Sequence, residues 1–208
     1  TLNSFDAFRD PTLCRSLLAR LTREASLPLR FMEVCGTHTV SIFRSGIRQL
    51  LPEKVDLVSG PGCPVCVTPN EYMDTAIAYA KKGNVIITTF GDMLKVPGTT
   101  SSLNKVKAEG ADIRIIYSPL DALQIAKDNP DKQTIFLAVG FETTAPLTAA
   151  TLQAADLQNI SNFFVLSSHK RTDAPIDALL SDPQIKVDGF LLPGHVCVIT
   201  GEKPFSFV

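Results

Sequence analysis

The chemistry-bearing residues of this sequence fall in two short stretches, CGTHT (35–39) and GPGCPVC (60–66). In the first, Cys35 and His38 stand in a C-x-x-H pattern at the junction of an apolar run and a helical pattern. Backbone N–H groups and the dipole at a helix start favour a thiolate, the form that attacks electrophiles and binds metals. His38 is placed to take up the thiol proton or to serve as a second ligand, and Gly36 allows a tight turn or a close approach. In the second, Cys63 and Cys66 form a C-x-x-C whose sulfurs can close a short disulfide or share a metal. Pro61 and Pro64 fix φ while Gly60 and Gly62 admit unusual backbone angles, so the loop has a particular shape. The plainer readings are an inert buried Cys35 with a hydrogen-bonded His38, and a purely structural C-x-x-C. Cys35, His38, Cys63 and Cys66 also compose a Cys3His set that suits tetrahedral zinc, and a thioredoxin-like oxidoreductase is the other contender. Structural zinc usually staples a loop-rich module, however, and a thioredoxin motif leaves CGTHT unexplained. Cys14, on the apolar side of a helical pattern, and Cys197 in HVCVITG read as core.

The elements that must position these groups recur as a β-branched run, a Gly/Pro-rich turn and a helical pattern. Strands are expected at 30–34, 55–60, 85–90, 113–118, 134–140, 163–168 and 189–194. Helices are expected over 4–25 (with Phe5, Phe8, Leu13, Leu17, Leu18 and Leu21 on one side), 40–51, 71–82, within PLDALQIAKD, and through about Gln158. Apolar strands without strict alternation, separated by helices, indicate an α/β fold with parallel sheets covered by helices on both faces. Seven strands are many for one sheet in 208 residues. The reading is therefore two small lobes, 1–118 and 119–208, with a crevice at the carboxyl ends of the strands. Polar motifs follow the strands, where ligands bind in open α/β sheets, so CGTHT and GPGCPVC are expected on one rim.

Composition narrows the function further. A formal net charge of -1 with no basic run argues against nucleic acid and anionic membrane as partners. No apolar segment approaches the roughly 20 residues of a membrane span, and TLNSFDAFRD lacks the build of a signal peptide. Five cysteines, an odd number, fit a reducing cytoplasm better than a secreted disulfide scaffold. A start without Met and an apolar end at PFSFV suggest a partial chain.

Six stretches in order, namely CGTHT, GPGCPVC, FGDMLKVPG (90–98), YSPLDAL (117–123), GFETTAP (140–146) and LPGHV (192–196), together resemble the HypD family of [NiFe]-hydrogenase maturation proteins. The similarity runs from about Arg30 to the end of the chain. It implies a scaffold that pairs with a HypC-type chaperone and on which an iron carrying cyanide and carbon monoxide, Fe(CN)2CO, is assembled. HypE supplies the cyanide, and the finished iron passes to the hydrogenase large subunit. The family's essential cysteine maps onto Cys35 as an iron ligand, its histidine onto His38, and its redox-active pair onto Cys63 and Cys66. Such a protein is a metallocentre-assembly scaffold rather than a conventional turnover enzyme. The family's [4Fe–4S] cluster, on cysteines near its C-terminus, has no counterpart ligands before Val208. Many members carry a second His where Thr39 stands, which implies that this side chain is dispensable. Low-spin iron with cyanide and CO favours thiolate ligands. Thr37, His38, Glu142, Thr143, Thr144 and His195, all placed after strands, are candidates to orient the thiolate or bind cyanide nitrogens. For Glu142 and the threonines the plainer reading is capping of the following helix, and for His195 a turn. Asp92 and Lys95 read as a solvated loop.

Overall fold

The computed structural model describes residues 10–208. All seven apolar runs form strands there: β1 (Leu29–Glu33), β2 (Val55–Ser59), β3 (Val85–Thr89), β4 (Ile113–Ile115), β5 (Gln133–Gly140), β6 (Phe163–His169) and β7 (Gly189–Leu191). The described helices are α1 (Pro11–Glu24), α2 (Gly36–Ser45), α3 (Asn70–Ala80), α4 (Leu103–Ala108), α5 (Pro119–Asp128), α6 (Ala145–Leu157), α7 (Asp173–Ser181) and α8 (Gly194–Thr200). The strands sort into two sheets, β2-β1-β7 and β4-β3-β5-β6, and every pairing is parallel. The fold is α/β with two parallel sheets, as the strand–helix alternation requires.

Each sheet belongs to its own compact unit. One holds the described residues up to Gly62 with 175–197 and 202–208; the other holds 63–174 and 198–201. Both take chain from either side of residue 118, because β7 pairs with β1 through Met32 and Phe190 in one and β5 pairs with β3 in the other. The division falls inside GPGCPVC, between Gly62 and Cys63. A long-range strand pairing of this kind leaves no local trace in the sequence.

In the four-stranded unit, β5 shows why its sequence lacks alternation. Ile135, Leu137 and Val139 join one buried cluster with Met73 and Ile77 of α3 and Leu103 and Val106 of α4. Phe136 and Ala138 join another with Ala122, Leu123 and Ala126 of α5 and Ala155 of α6. Helices cover both faces of this sheet, so both sets of alternating residues must be apolar. Each fully buried large side chain contributes about 1.5–3 kcal/mol.

Local signals set the helix ends. Ser118 and Asp121 form a capping box around Pro119 at the start of α5. Asp10 accepts from the Thr12 and Leu13 N–H groups at the start of α1; Phe5 and Phe8 lie outside the described residues. α2 starts and stops earlier than 40–51. Gly46, at φ 65°, ends it in the left-handed region that glycine adopts without strain. Two expectations fail for cysteines. Cys14 is exposed, since α1 buries none of its residues, and its apolar side lines an open groove with Ile47, Leu50 and Leu51. Cys197 is only half-buried, because α8 turns just Val196 inward.

Candidate functional site at the carboxyl ends of the strands

β1 and β2 run in parallel register from Leu29↔Val55 to Glu33↔Ser59, so the segments that follow them emerge along one edge. The Gly60 N–H donates to the Glu33 carbonyl at 2.7 Å, and the Gly36 N–H donates to the Gly62 carbonyl at 3.3 Å. On the other side of β1, the Val34 N–H donates to the Leu191 carbonyl at 3.3 Å. CGTHT, the first residues of GPGCPVC and the LPGHV stretch thus leave three adjacent strands of one sheet.

Cys35 sits at the centre of this edge, 4% exposed. It is the N-cap residue of α2, in extended conformation, and its side chain makes no capping bond. The usual N-cap residues direct an oxygen at the first-turn N–H groups; here the sulfur is left uncommitted. The Cys35 backbone is held instead by other groups. Its N–H donates to Glu33 Oε2 at 3.2 Å, and its carbonyl accepts from the Thr39 N–H at 3.1 Å. Gly62 packs so closely that a Cβ there would lie 2.7 Å from the Cys35 Cα. His38, in the first turn of α2, is half-buried, and its Nδ1 is buried without a hydrogen-bond partner among the described residues. Thr37 and His195 are exposed, the latter in the first turn of α8. Glu33 was not anticipated. It is fully buried, and Thr39, expected to be dispensable, donates its hydroxyl to Glu33 Oε1 at 2.6 Å.

The C-x-x-C pair begins the other unit. All five cysteines are free thiols. The Cys66 N–H donates to Cys63 Sγ at 3.3 Å, so the turn aims a donor at the first sulfur. Donation of the Cys66 thiol to Cys63, with desolvation adding to it, pushes the Cys66 thiol above the ordinary cysteine value. The Cys66 thiol is therefore held back from the thiolate form. The expected result is that iodoacetamide at about pH 8 modifies Cys63 at least about threefold faster than Cys66. Exposure alone would favour Cys66, the more exposed of the two, so peptide mapping of the first label separates the two outcomes.

After β5, Glu142, Thr143 and Thr144 are all half-buried. Glu142 accepts from the Thr172 N–H at 2.7 Å and the Thr172 hydroxyl at 2.8 Å. Thr144 precedes α6, yet its hydroxyl donates back to the Phe141 carbonyl at 3.1 Å. Neither side chain caps α6, contrary to the plainer reading: Glu142 reaches across to the turn before α7 instead. Asp92 and Lys95 are exposed in the 3-10 turn Gly91–Lys95.

His169, at the carboxyl end of β6, was also missed, although HKRTDAP follows a strand like the other motifs. Its Nδ1 lies 3.1 Å from Ser167 Oγ, and its Nε2 is buried without a partner among the described residues. Burial holds its pKa below the ordinary histidine value. The unfolded chain then takes up the proton first on acidification, so the stability tied to neutral His169 is complete above the ordinary value of 6.5 and is lost as pH falls below it. Urea midpoints measured from about pH 7 to about pH 5.5 are expected to fall less steeply in His169→Gln than in the parent.

The expected site residues divide between the units: Cys35, Thr37, His38 and His195 in one, and Cys63, Cys66, Glu142, Thr143 and Thr144 in the other. The four members of the Cys3His set are split in the same way. Among the described residues no three His, Cys, Asp or Glu side chains converge as a metal-holding group. No described helix is long and apolar enough to cross a membrane.

Fold and rim together define a class: an α/β protein with two all-parallel sheets whose thiols follow the carboxyl ends of the strands. The model of the HypD family, described as a hydrogenase formation family, matches residues 12–208. Hydrogenase maturation factor HypD of Rhodobacter capsulatus is 46% identical over 208 residues, covering 97% of this chain and 55% of that protein. The Escherichia coli (strain K12) factor of the same name is 44% identical over 210 residues, 98% of this chain and 56% of the relative. That of Azotobacter vinelandii is 45% identical over 209 residues, 97% and 55%. The chain belongs to the HypD family, and it spans about half the length of these curated relatives.

Proposed function

We propose that this chain is the iron-holding part of a [NiFe]-hydrogenase maturation scaffold. Cys35 supplies the thiolate to the iron that receives cyanide and CO, and His38 serves as its proton acceptor or second ligand. The observation that carries the reading is the uncommitted sulfur of Cys35: a buried thiol at a helix start, with its backbone fixed on both sides and its side chain left out of the capping. The unpartnered Nδ1 of His38 in the same helical turn is the second support, because a buried polar atom without a partner costs about 1–3 kcal/mol unless something satisfies it. A thiolate suits low-spin iron better than an oxygen ligand does.

Cys63 and Cys66 serve as the electron store. Closing their disulfide forms one S–S bond and delivers two electrons and two protons to the iron being assembled; reopening it consumes two electrons and two protons from an external dithiol, which is oxidised to its own disulfide. Thr37, Thr143, Thr144 and His195 are the proposed donors to cyanide nitrogens. Glu142 belongs with them as the group that fixes the loop after β5 through Thr172. The cargo is Fe(CN)2CO, and the partners are a HypC-type chaperone, HypE and, downstream, the hydrogenase large subunit. No step runs through an iron–sulfur cluster.

Metal analysis of the chain isolated without oxygen alongside its HypC-type partner tests this reading. Iron bound in proportion to the chain, with zinc absent, is the expected result. About one zinc per chain, with unfolding on addition of a chelator, contradicts it and restores the structural-zinc reading. Turnover of small disulfides by Cys63 and Cys66 without any partner, and without bound iron, points instead to a thiol–disulfide oxidoreductase.

A further inference from the structure

We infer that Glu33 is the positioning residue of Cys35: its carboxyl group ties the end of β1 to the first turn of α2 and so holds the Cys35 thiol where a metal is to be bound. The inference rests on the assignment of Cys35 as the iron ligand. A fully buried glutamate is uncommon, since ionisable side chains are rarely buried outright unless paired. No ion pair among the described residues includes Glu33. Both of its oxygens are nevertheless engaged, and both engage the metal-site segment: Oε2 accepts from the Cys35 N–H at 3.2 Å and Oε1 from the Thr39 hydroxyl at 2.6 Å.

The topology explains the arrangement. Glu33 ends the central strand of its sheet, between Ser59 of β2 and Leu191 of β7. An N-cap serine or aspartate at position 35 would have secured the helix start with its own side chain. Cys35 does not, because its sulfur is reserved. Glu33 takes over from two residues upstream by holding the Cys35 N–H, and it reaches to Thr39, one turn into α2. The Thr39 N–H donates to the Cys35 carbonyl at 3.1 Å, with the Thr39 hydroxyl, whose proton goes to Glu33, 3.4 Å from the same oxygen. Glu33 and Thr39 together thus brace the cysteine backbone at both ends. Cys35 stays in one conformation with its thiol free.

The test measures iodoacetamide modification of each cysteine in the iron-free chain, mapped by mass spectrometry, for the parent, Glu33→Ala, Glu33→Gln and Thr39→Val. Removing a buried hydrogen-bonding group frees the loop by roughly tenfold to hundredfold in local opening. Cys35 modification in Glu33→Ala is expected to accelerate by about that factor, with Cys63 and Cys66 unchanged as internal controls. Glu33→Gln is expected to remain within about threefold of the parent. Its amide oxygen can accept from the Cys35 N–H, and its NH2 can donate to Thr39, whose hydroxyl turns to the Cys35 carbonyl. Rescue by the amide is what a general loss of stability would not produce. An unchanged Cys35 rate in Glu33→Ala, or equal acceleration of all three cysteines, overturns the proposal. If Glu33→Ala does not fold, Thr39→Val decides: selective acceleration at Cys35 supports the brace, and an unchanged rate contradicts it. Retention of iron by Cys35→Ala would overturn the iron assignment and leave the alkylation result standing by itself.

Discussion

Cys35→Ala is expected to fold as the parent does and to lose its iron. The side chain is buried, but the substitution removes a single sulfur from a small site, at a cost of about 1 kcal/mol. That is a small part of the 5–15 kcal/mol typical of a folded domain. The Glu33, Thr39 and Gly62 contacts that fix this segment all run through its backbone and survive the change. Circular dichroism and thermal melting should therefore overlay those of the parent, while the iron-to-chain ratio in anaerobic preparations falls to background. If the variant unfolds instead, the metal at Cys35 is structural.

The second large effect falls on a glycine. Gly62→Ala places a Cβ 2.5 Å from the Val34 carbonyl carbon and 2.7 Å from the Cys35 Cα, with the Cys35 nitrogen closer still. These are backbone atoms of a paired strand end and cannot yield as a flexible side chain would. The clash is expected to destabilise its unit by about 3 kcal/mol or more, because the Gly36–Gly62 bond and the end of the β1–β2 register must give way together. Gly36→Ala is the control. Its Cβ meets only the Gly62 carbonyl oxygen, at 4.0 Å, and its effect is expected to stay within about 1 kcal/mol. Urea unfolding of the two variants beside the parent reads the difference directly. Equal stabilities would mean that Gly62 does not pack against Val34 and Cys35 as described.

These two positions also mark how much could be read from the sequence. Gly62 and Cys35 stand in stretches whose composition announces them, and the seven strands that carry the motifs were legible because β-branched runs between Gly/Pro turns are a local signal. The parallel direction of β1 and β2 was legible from the helical connection between them, whereas their direct pairing was not. Other features depend on distant chain. Glu33 reads as an ordinary polar end to RFMEV; only its place between β2 and β7 makes it the buried brace of Cys35. The pairing of β7 with β1 joins segments on either side of residue 118. Cys14 looked like core because α1 has an apolar side, yet amphipathic spacing does not say whether anything covers that side. His169 follows an expected strand as the other motif residues do, but nothing in the local sequence shows that its Nε2 is buried.

The central claim is that Cys35 anchors an iron carrying cyanide and CO, and infrared spectroscopy reports on it most directly. The samples are the chain and its Cys35→Ala variant, each purified anaerobically with the HypC-type partner from cells making the full maturation set. Cyanide and CO stretching bands in the parent that vanish in the variant are the predicted result. Bands of equal strength in both samples would place the iron on some other ligand and contradict the account.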